Sequence, residues 1–270
     1  MHIEAAGRTE VGRCRSINED ILALRPDLGL YLVVDGMGGH VAGELAAAIA
    51  AETMQHFYED GGIVWPLDAR GKASDPQAFL VAAAKLANAH IRERAASDAE
   101  KRGMGAAIVA VQATSASFCL AHVGHARCYR LRGGRLERLT EDHTGFNEYL
   151  WRGVPFDIAE RRPDKAALSR ALGLKEKIEI TVRMEDTRPG DTVLLCSNGL
   201  HGAVSDTQIA LILSGQSPLA ATADALLAVA QAIGAPDDVT CLLLRWSTAT
   251  GPADRNEYPN EQAARCPREK

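Results

Sequence analysis

The stretch Val33-Val34-Asp35-Gly36-Met37-Gly38-Gly39-His40 closes an apolar run over 28–34. Such a run, ended by turn residues, predicts a buried strand. The strand delivers one carboxylate, Asp35, to its C-terminal end. The glycines after it let the backbone turn sharply and come close to a ligand. An acid in that setting suits a metal ion or a catalytic water. Glu19-Asp20 upstream and Asp237-Asp238 near the end repeat the setting. A metal-dependent hydrolase is therefore the first expectation.

Outward from this turn, 2–13 and 20–24 read as short strands around a turn at Ser16-Ile17-Asn18. The Ala-rich segment 42–58 reads as a helix. Residues 60–75 read as a loop. A second helix is predicted over 76–98, with Asp75 as N-cap and Pro76 at its first position. Strands follow at 105–113, 116–123 and 126–132, then a hairpin turn at Gly133-Gly134 into 135–139. Residues 144–165 read as a long irregular loop, a common place for function. Strands at 178–184 and 192–197, helices at 205–213 and 218–233, and a strand at 238–246 complete the pattern. Residues 249–270, polar and holding Pro252, Pro259 and Pro267, read as a disordered tail behind a single domain over 1–248. The order is not a regular βαβ alternation. It predicts an α+β fold, antiparallel sheets with helices on their outer faces.

With 46% hydrophobic residues in 270, the chain can bury a sizeable core. The net charge of −5, without a basic block, argues against nucleic acid as the main partner. No segment approaches the roughly 18 apolar residues of a membrane span, and the N-terminus shows no signal-peptide pattern. A cytoplasmic protein without a membrane partner is the simplest expectation. The six cysteines show no C-x-x-C spacing, so neither disulfides nor zinc are expected. Cys119, Cys196 and Cys241 lie in apolar runs and read as small core residues.

Hard cations such as Mg²⁺ and Mn²⁺ take carboxylate, carbonyl and water oxygens. Asp35 offers the first kind and Gly36 an unobstructed carbonyl. Arg15, four residues before Glu19, has the fork that grips a phosphate. Each acid alone is more simply a solvated turn or a cap. Four acid positions at strand ends with an arginine nearby make that explanation weaker.

A set of motifs then makes the chain resemble the metal-dependent protein serine/threonine phosphatases, type 2C, in their bacterial form. They are Gly12-Arg13-Cys14-Arg15-Ser16-Ile17-Asn18-Glu19-Asp20; Val34-Asp35-Gly36-Met37-Gly38-Gly39-His40 with Gly43-Glu44; Gly103-Met104-Gly105; and Ala121-His122-Val123-Gly124. Further along come Leu139-Thr140-Glu141-Asp142-His143-Thr144; Ser169-Arg170-Ala171-Leu172-Gly173; Ser197-Asn198-Gly199-Leu200; and Pro236-Asp237-Asp238-Val239-Thr240. They occur in the family's order across about 5–246. One D-G-x-G-G would mean little, but the set is specific.

The resemblance implies a four-layer α-β-β-α sandwich with two central antiparallel sheets. Two Mn²⁺ or Mg²⁺ ions would sit at one end. Asp35 would bridge them and the Gly36 carbonyl would bind one. Asp237 and Asn198 would bind the other, and Glu19 and Asp20 would hold metal-bound waters. Arg15 would bind the phosphoryl oxygens. A metal-activated hydroxide would attack in line with the leaving seryl or threonyl oxygen of a phosphorylated protein. A cognate serine/threonine kinase would supply that substrate. Residues 144–165 would form a flap beside the cleft that meets it. His40 could donate the leaving-group proton or, with equal weight, pack on the helix near Ala42. His122 and His143 read as structural.

Two positions depart from the family's pattern, which has Asp at 125 and 198 where this chain has His125 and Asn198. Asn keeps an oxygen and loses the charge, and His offers nitrogen, which suits Mn²⁺ better than Mg²⁺. The expectation is a weakened second ion, a weak or absent third ion, and a slower enzyme. Asp238 is a candidate to compensate, or else a surface acid. The alternative is a phosphatase-like protein that holds a phosphoprotein or regulatory partner without turnover. A nucleotide cradle in the glycines finds no G-x-G-x-x-G and no Gly-Lys-Ser/Thr.

Overall fold

The computed structural model describes residues 1–38, 41–60, 75–215 and 217–248. His40, most of the 60–75 loop and the 249–270 tail lie outside the described residues. In chain order come β1 (His2–Glu10), β2 (Asp20–Arg25), β3 (Leu30–Met37), α1 (Val41–Glu59) and α2 (Pro76–Ala96). Next are β4 (Gly105–Ala113), β5 (Ser117–Val123), β6 (Arg127–Arg132), β7 (Arg135–Arg138), α3 (Gly145–Trp151) and α4 (Phe156–Glu160). The chain ends with β8 (Thr181–Asp186), β9 (Thr192–Cys196), α5 (Asn198–Ala203), α6 (Asp206–Leu213), α7 (Leu219–Ile233) and β10 (Val239–Ser247).

The strands form two five-stranded sheets, ordered β1-β10-β9-β6-β7 and β2-β3-β4-β5-β8. Neighbours pair antiparallel throughout. Side chains alternate between the faces of a strand, so the layers can be read from the core. On β3, Leu30, Leu32 and Val34 pack with α1 and α2, among Ala46, Ala50, Met54, Leu80 and Ile91. Tyr31 and Val33 face the other way, into a cluster with Val109, Leu195, Leu242 and Trp246 between the sheets. On β10, Cys241 and Leu243 turn outward to Leu219, Leu226 and Ala230 of α7. Three apolar interfaces thus separate four layers, the expected α-β-β-α sandwich. Strands covered on both faces read as continuous apolar runs, and β3 is buried along nearly its whole length.

Three expectations need correction. β3 runs to Met37, so Asp35 lies within the strand, facing Asp20 on β2 and Ala107 on β4. The irregular 144–165 loop holds two short helices, α3 and α4. Gly145 and Phe146 donate to Ala167 and Lys165 at its base, and Phe146 meets Phe156 edge-on at 5.4 Å. Helix α5 was not expected, because six residues opening Asn198-Gly199 carry too little periodicity. Asp75 caps α2 as expected, accepting from the Gln77 amide at 2.9 Å. Cys119, Cys196 and Cys241 are buried, free thiols. No helix among the described residues is long and apolar enough to cross a membrane.

Candidate metal centre and active site

Asp35 continues the inward row of Tyr31 and Val33, so it emerges where the space between the sheets opens at one end. Asp20 stands opposite it in the β2–β3 register. Both are nearly enclosed, at 7% and 6% exposure, as is Glu19 at 6%. Gly36 makes this crowding possible. A Cβ there would lie 2.1 Å from the Gly43 carbonyl oxygen and 2.6 Å from that of Glu19, and its amide donates to the same Glu19 oxygen at 3.0 Å. Any side chain at 36 would push β3 away from the 19–20 segment.

The opposite wall comes from the far end of the chain. Asp238 is 1% exposed. Its Oδ1 accepts from the Gly12 amide and its Oδ2 from the Glu19 amide, each at 2.8 Å. Gly12 fits against this turn closely, since a Cβ would stand 2.3 Å from the Asp237 carbonyl oxygen. Asp238 is therefore not a surface acid. Each of its oxygens accepts one amide, and together they staple the 12–19 segment to the start of β10. That leaves Asp237, more exposed, to face the cleft, where Arg15 reaches its Oδ1 at 2.7 Å and Glu19 Oε2 at 3.4 Å.

Asn198 opens α5 and joins the two walls. Its amide N–H donates to Asp35 Oδ2 at 3.3 Å. Its side-chain Nδ2 lies 3.3 Å from Asp237 Oδ2 and 3.2 Å from His125 Nε2. His125 Nδ1 stands 3.8 Å from Asp35 Oδ2. The histidine's own carbonyl is held by His201 Nε2 at 2.9 Å.

Crowded acids resist ionising. Burial pushes the Asp35 carboxyl above its ordinary value, although His125 and the Asn198 amide pull the other way. Asp20 is pushed well above by burial and by Asp35, against hydrogen bonds from Ser197 and Thr240. Glu19 rises through burial too, despite Arg15. Burial works against the Arg15 charge, but Asp237, Glu19 and Asp238 outweigh it and raise its pKa. An acid cluster of this kind asks for a cation.

The donor set fits a hard divalent ion. It is made of oxygen, and two of its buried oxygens, Asp20 Oδ2 and Asn198 Oδ1, have no hydrogen-bond partner. Among the described residues no three His, Cys, Asp or Glu side chains close on one point as a finished cage. Arg15 engages both Glu19 and Asp237, and the Asn198 side-chain amide leans on Asp237, so part of the negative charge is offset from within the chain.

A family model described as protein phosphatase 2C matches residues 15–231, most of the chain. The chain belongs to the protein phosphatase 2C family. A serine/threonine phosphatase, stp, of Listeria welshimeri is 32% identical over 248 residues, 90% of this chain and 95% of that protein. The crystal structure of the serine/threonine phosphatase PstP of Mycobacterium tuberculosis superposes with a TM-score of 0.79 at 30% identity, covering 91% of this chain and 99% of that one. A structure of the PstP catalytic domain in complex with two manganese ions superposes at 0.75 with 32% identity, over 91% and 99% of the two chains.

Within this family member, the structure gathers Arg15, Glu19, Asp20, Asp35, Gly36, Asn198 and Asp237 at one end of the sandwich, with His125 beside them. His40 lies outside the described residues. Sequence reasoning missed the stapling role of Asp238. The acidic doublet was a signal, but it does not say which acid turns inward. It also missed Ser197 and Thr240, which hydrogen-bond Asp20 and each other, at 3.0 Å from the Thr240 amide to Ser197 Oγ.

Proposed function

We infer that the chain is a metal-dependent phosphoprotein phosphatase, hydrolysing phosphoserine and phosphothreonine. The observation that carries this is the buried acid cluster with unpartnered oxygens, facing Arg15 at the open end of a protein phosphatase 2C sandwich. Two Mn²⁺ or Mg²⁺ ions are the proposed cofactors. Asp35 and Gly36 would hold one, with Asp35 shared, and Asp237 and Asn198 the other, with Glu19 and Asp20 ordering water. When bound, such ions supply an activated water and neutralise phosphoryl charge. Arg15 has a fork suited to two phosphoryl oxygens and is exposed enough to leave Asp237 for them. Its raised pKa keeps it charged throughout. Asp238 fixes the segment that carries it.

The domain is proposed to be residues 1–248, followed by a tail. Free buried thiols support the cytoplasm as its compartment, and a serine/threonine kinase is the proposed source of its substrates. A second reading, a binding protein without turnover, draws on one observation: the Asn198–His125 pair, which has no carboxylate, stands where the family pattern carries acids.

One assay separates the two readings. Hydrolysis of p-nitrophenyl phosphate and of a phosphothreonine peptide is measured with Mn²⁺, then with EDTA. The expected result is Mn²⁺-dependent turnover that Asp35→Ala abolishes and Asn198→Asp raises. A chain that is inert at millimolar Mn²⁺ and takes up no metal in a titration is not this enzyme.

A further inference from the structure

We propose that His125 is a positioning residue that sets which end of the Asn198 amide faces the metal centre. The proposal rests on Asn198 being an ion ligand. A carboxylate presents oxygen whichever way it is turned. A carboxamide does not, because its oxygen and NH₂ have nearly the same shape and opposite polarity. An asparagine in a ligand position therefore needs something to fix its flip.

His125 provides it. Asn198 Nδ2 can only donate, so His125 Nε2, 3.2 Å away, must accept. In the neutral ring the proton then sits on Nδ1, the nitrogen that faces Asp35 Oδ2 at 3.8 Å. The second Nδ2 proton goes to Asp237 Oδ2 at 3.3 Å. Both donors of the amide are thus engaged, and Oδ1 remains, buried and without a partner. The opposite flip would set Oδ1 against the Asp237 carboxylate, and it would require the Nε2–H tautomer, which turns a bare Nδ1 towards Asp35 Oδ2.

The histidine is itself held. Its carbonyl accepts from His201 Nε2 at 2.9 Å. Burial, with Arg127 nearby, drives the His201 pKa down to about 4, so that ring stays neutral. A histidine anchored through its backbone carbonyl thus aims an asparagine, and the two departures from the family pattern act as one unit. Neither His125 nor Asn198 brings negative charge, so the pair orders a ligand without adding to the repulsion around Asp35.

Calorimetric Mn²⁺ titration of the metal-free full chain tests this, with His125→Phe and His125→Gln. The Gln side chain can still accept from Nδ2, whereas Phe cannot. His125→Phe should bind Mn²⁺ about 10-fold more weakly, and His125→Gln within about 3-fold of the parent. In an Asn198→Asp background, where no flip exists, His125→Phe should cost less than about 3-fold. Pulsed EPR of bound Mn²⁺ should show no directly bonded imidazole nitrogen. Equal affinity of His125→Phe and parent overturns the proposal. So does an equal loss in Phe and Gln, an equal loss in both backgrounds, or a directly bonded nitrogen. A parent chain that binds no Mn²⁺ would instead overturn the ligand assignment beneath it. Melting curves of the metal-free variants report folding separately.

Discussion

Among the described residues, two of the clusters of buried titratable groups are built on opposite terms. In one, His122 and His143 stack at 4.7 Å. His122 Nε2 meets the Glu141 carbonyl at 3.0 Å, His143 Nδ1 accepts from the Gly124 amide at 3.1 Å, and His143 Nε2 meets Thr181 Oγ1 at 3.0 Å. Burial drives both pKa values down, that of His143 to about 3, so the rings are neutral. In the other, Glu19, Asp20 and Asp35 are pushed towards protonation and leave a buried oxygen unpaired. The histidines are satisfied by the fold alone. The acids are not, and a fold keeps such a cluster at the expense of stability when function needs it.

The largest expected effect breaks the acid side. Asp35→Asn should lower Mn²⁺-dependent turnover about 10³-fold while raising the stability of the metal-free protein by roughly 1–2 kcal/mol, read from activity assays and from urea melts in EDTA. Loss of both activity and stability would place Asp35 with the histidines.

Asp238 sharpens the contrast, being an acid that is satisfied like a histidine. Asp238→Ala should destabilise by about 2–4 kcal/mol, because two buried amides lose their acceptor, and turnover should fall with it as Arg15 loses its seat. His143→Phe should cost about 1–3 kcal/mol through the stranded Gly124 amide and leave kcat unchanged. A fall in kcat without loss of stability would make that cluster catalytic.

The pH dependences should oppose each other. The folded pKa of His143 is about 3 against an ordinary 6.5. Between those values the unfolded chain binds more protons, so its contribution is lost as pH falls. The acids have folded values above the ordinary 3.8 and 4.5. There the native state binds more protons, so stability falls as pH rises from about 4. In metal-free urea melts, His143→Phe should flatten the acidic limb and Asp35→Asn the neutral one.

The smallest effect concerns the α3–α4 segment, expected to act as a flap. Phe156, 64% exposed, is an apolar contact offered to solvent. Phe156→Ser should raise KM for a phosphoprotein a few-fold, on the order of 1 kcal/mol, and leave p-nitrophenyl phosphate unaffected.

Much of this was legible beforehand. Long apolar runs and Ala-rich helices announced themselves because strands buried on both faces need continuous hydrophobicity. The order of acids and glycines picked out residues that meet at one end of the sandwich. Helices α3 and α4 were hidden, since Gly153, Pro155 and Pro163 break any period in segments of seven and five residues. The true end of β3 was hidden because Gly36 reads as a turn, whereas its missing side chain serves close approach. Asp237 and Asp238 are adjacent and identical, so only the backbone path decides which enters the cleft.

The Asp238 staple also carries a consequence in time. β1 finds its partner only in β10, and the Gly12 and Glu19 amides find their acceptor only at residue 238. On the ribosome the first strand must therefore wait for the last, its edge open to other chains. A chain that has not reached residue 238 should not act on phosphoproteins, because the loop bearing Arg15 lacks its mooring until then. Activity should arrive all at once, with β10.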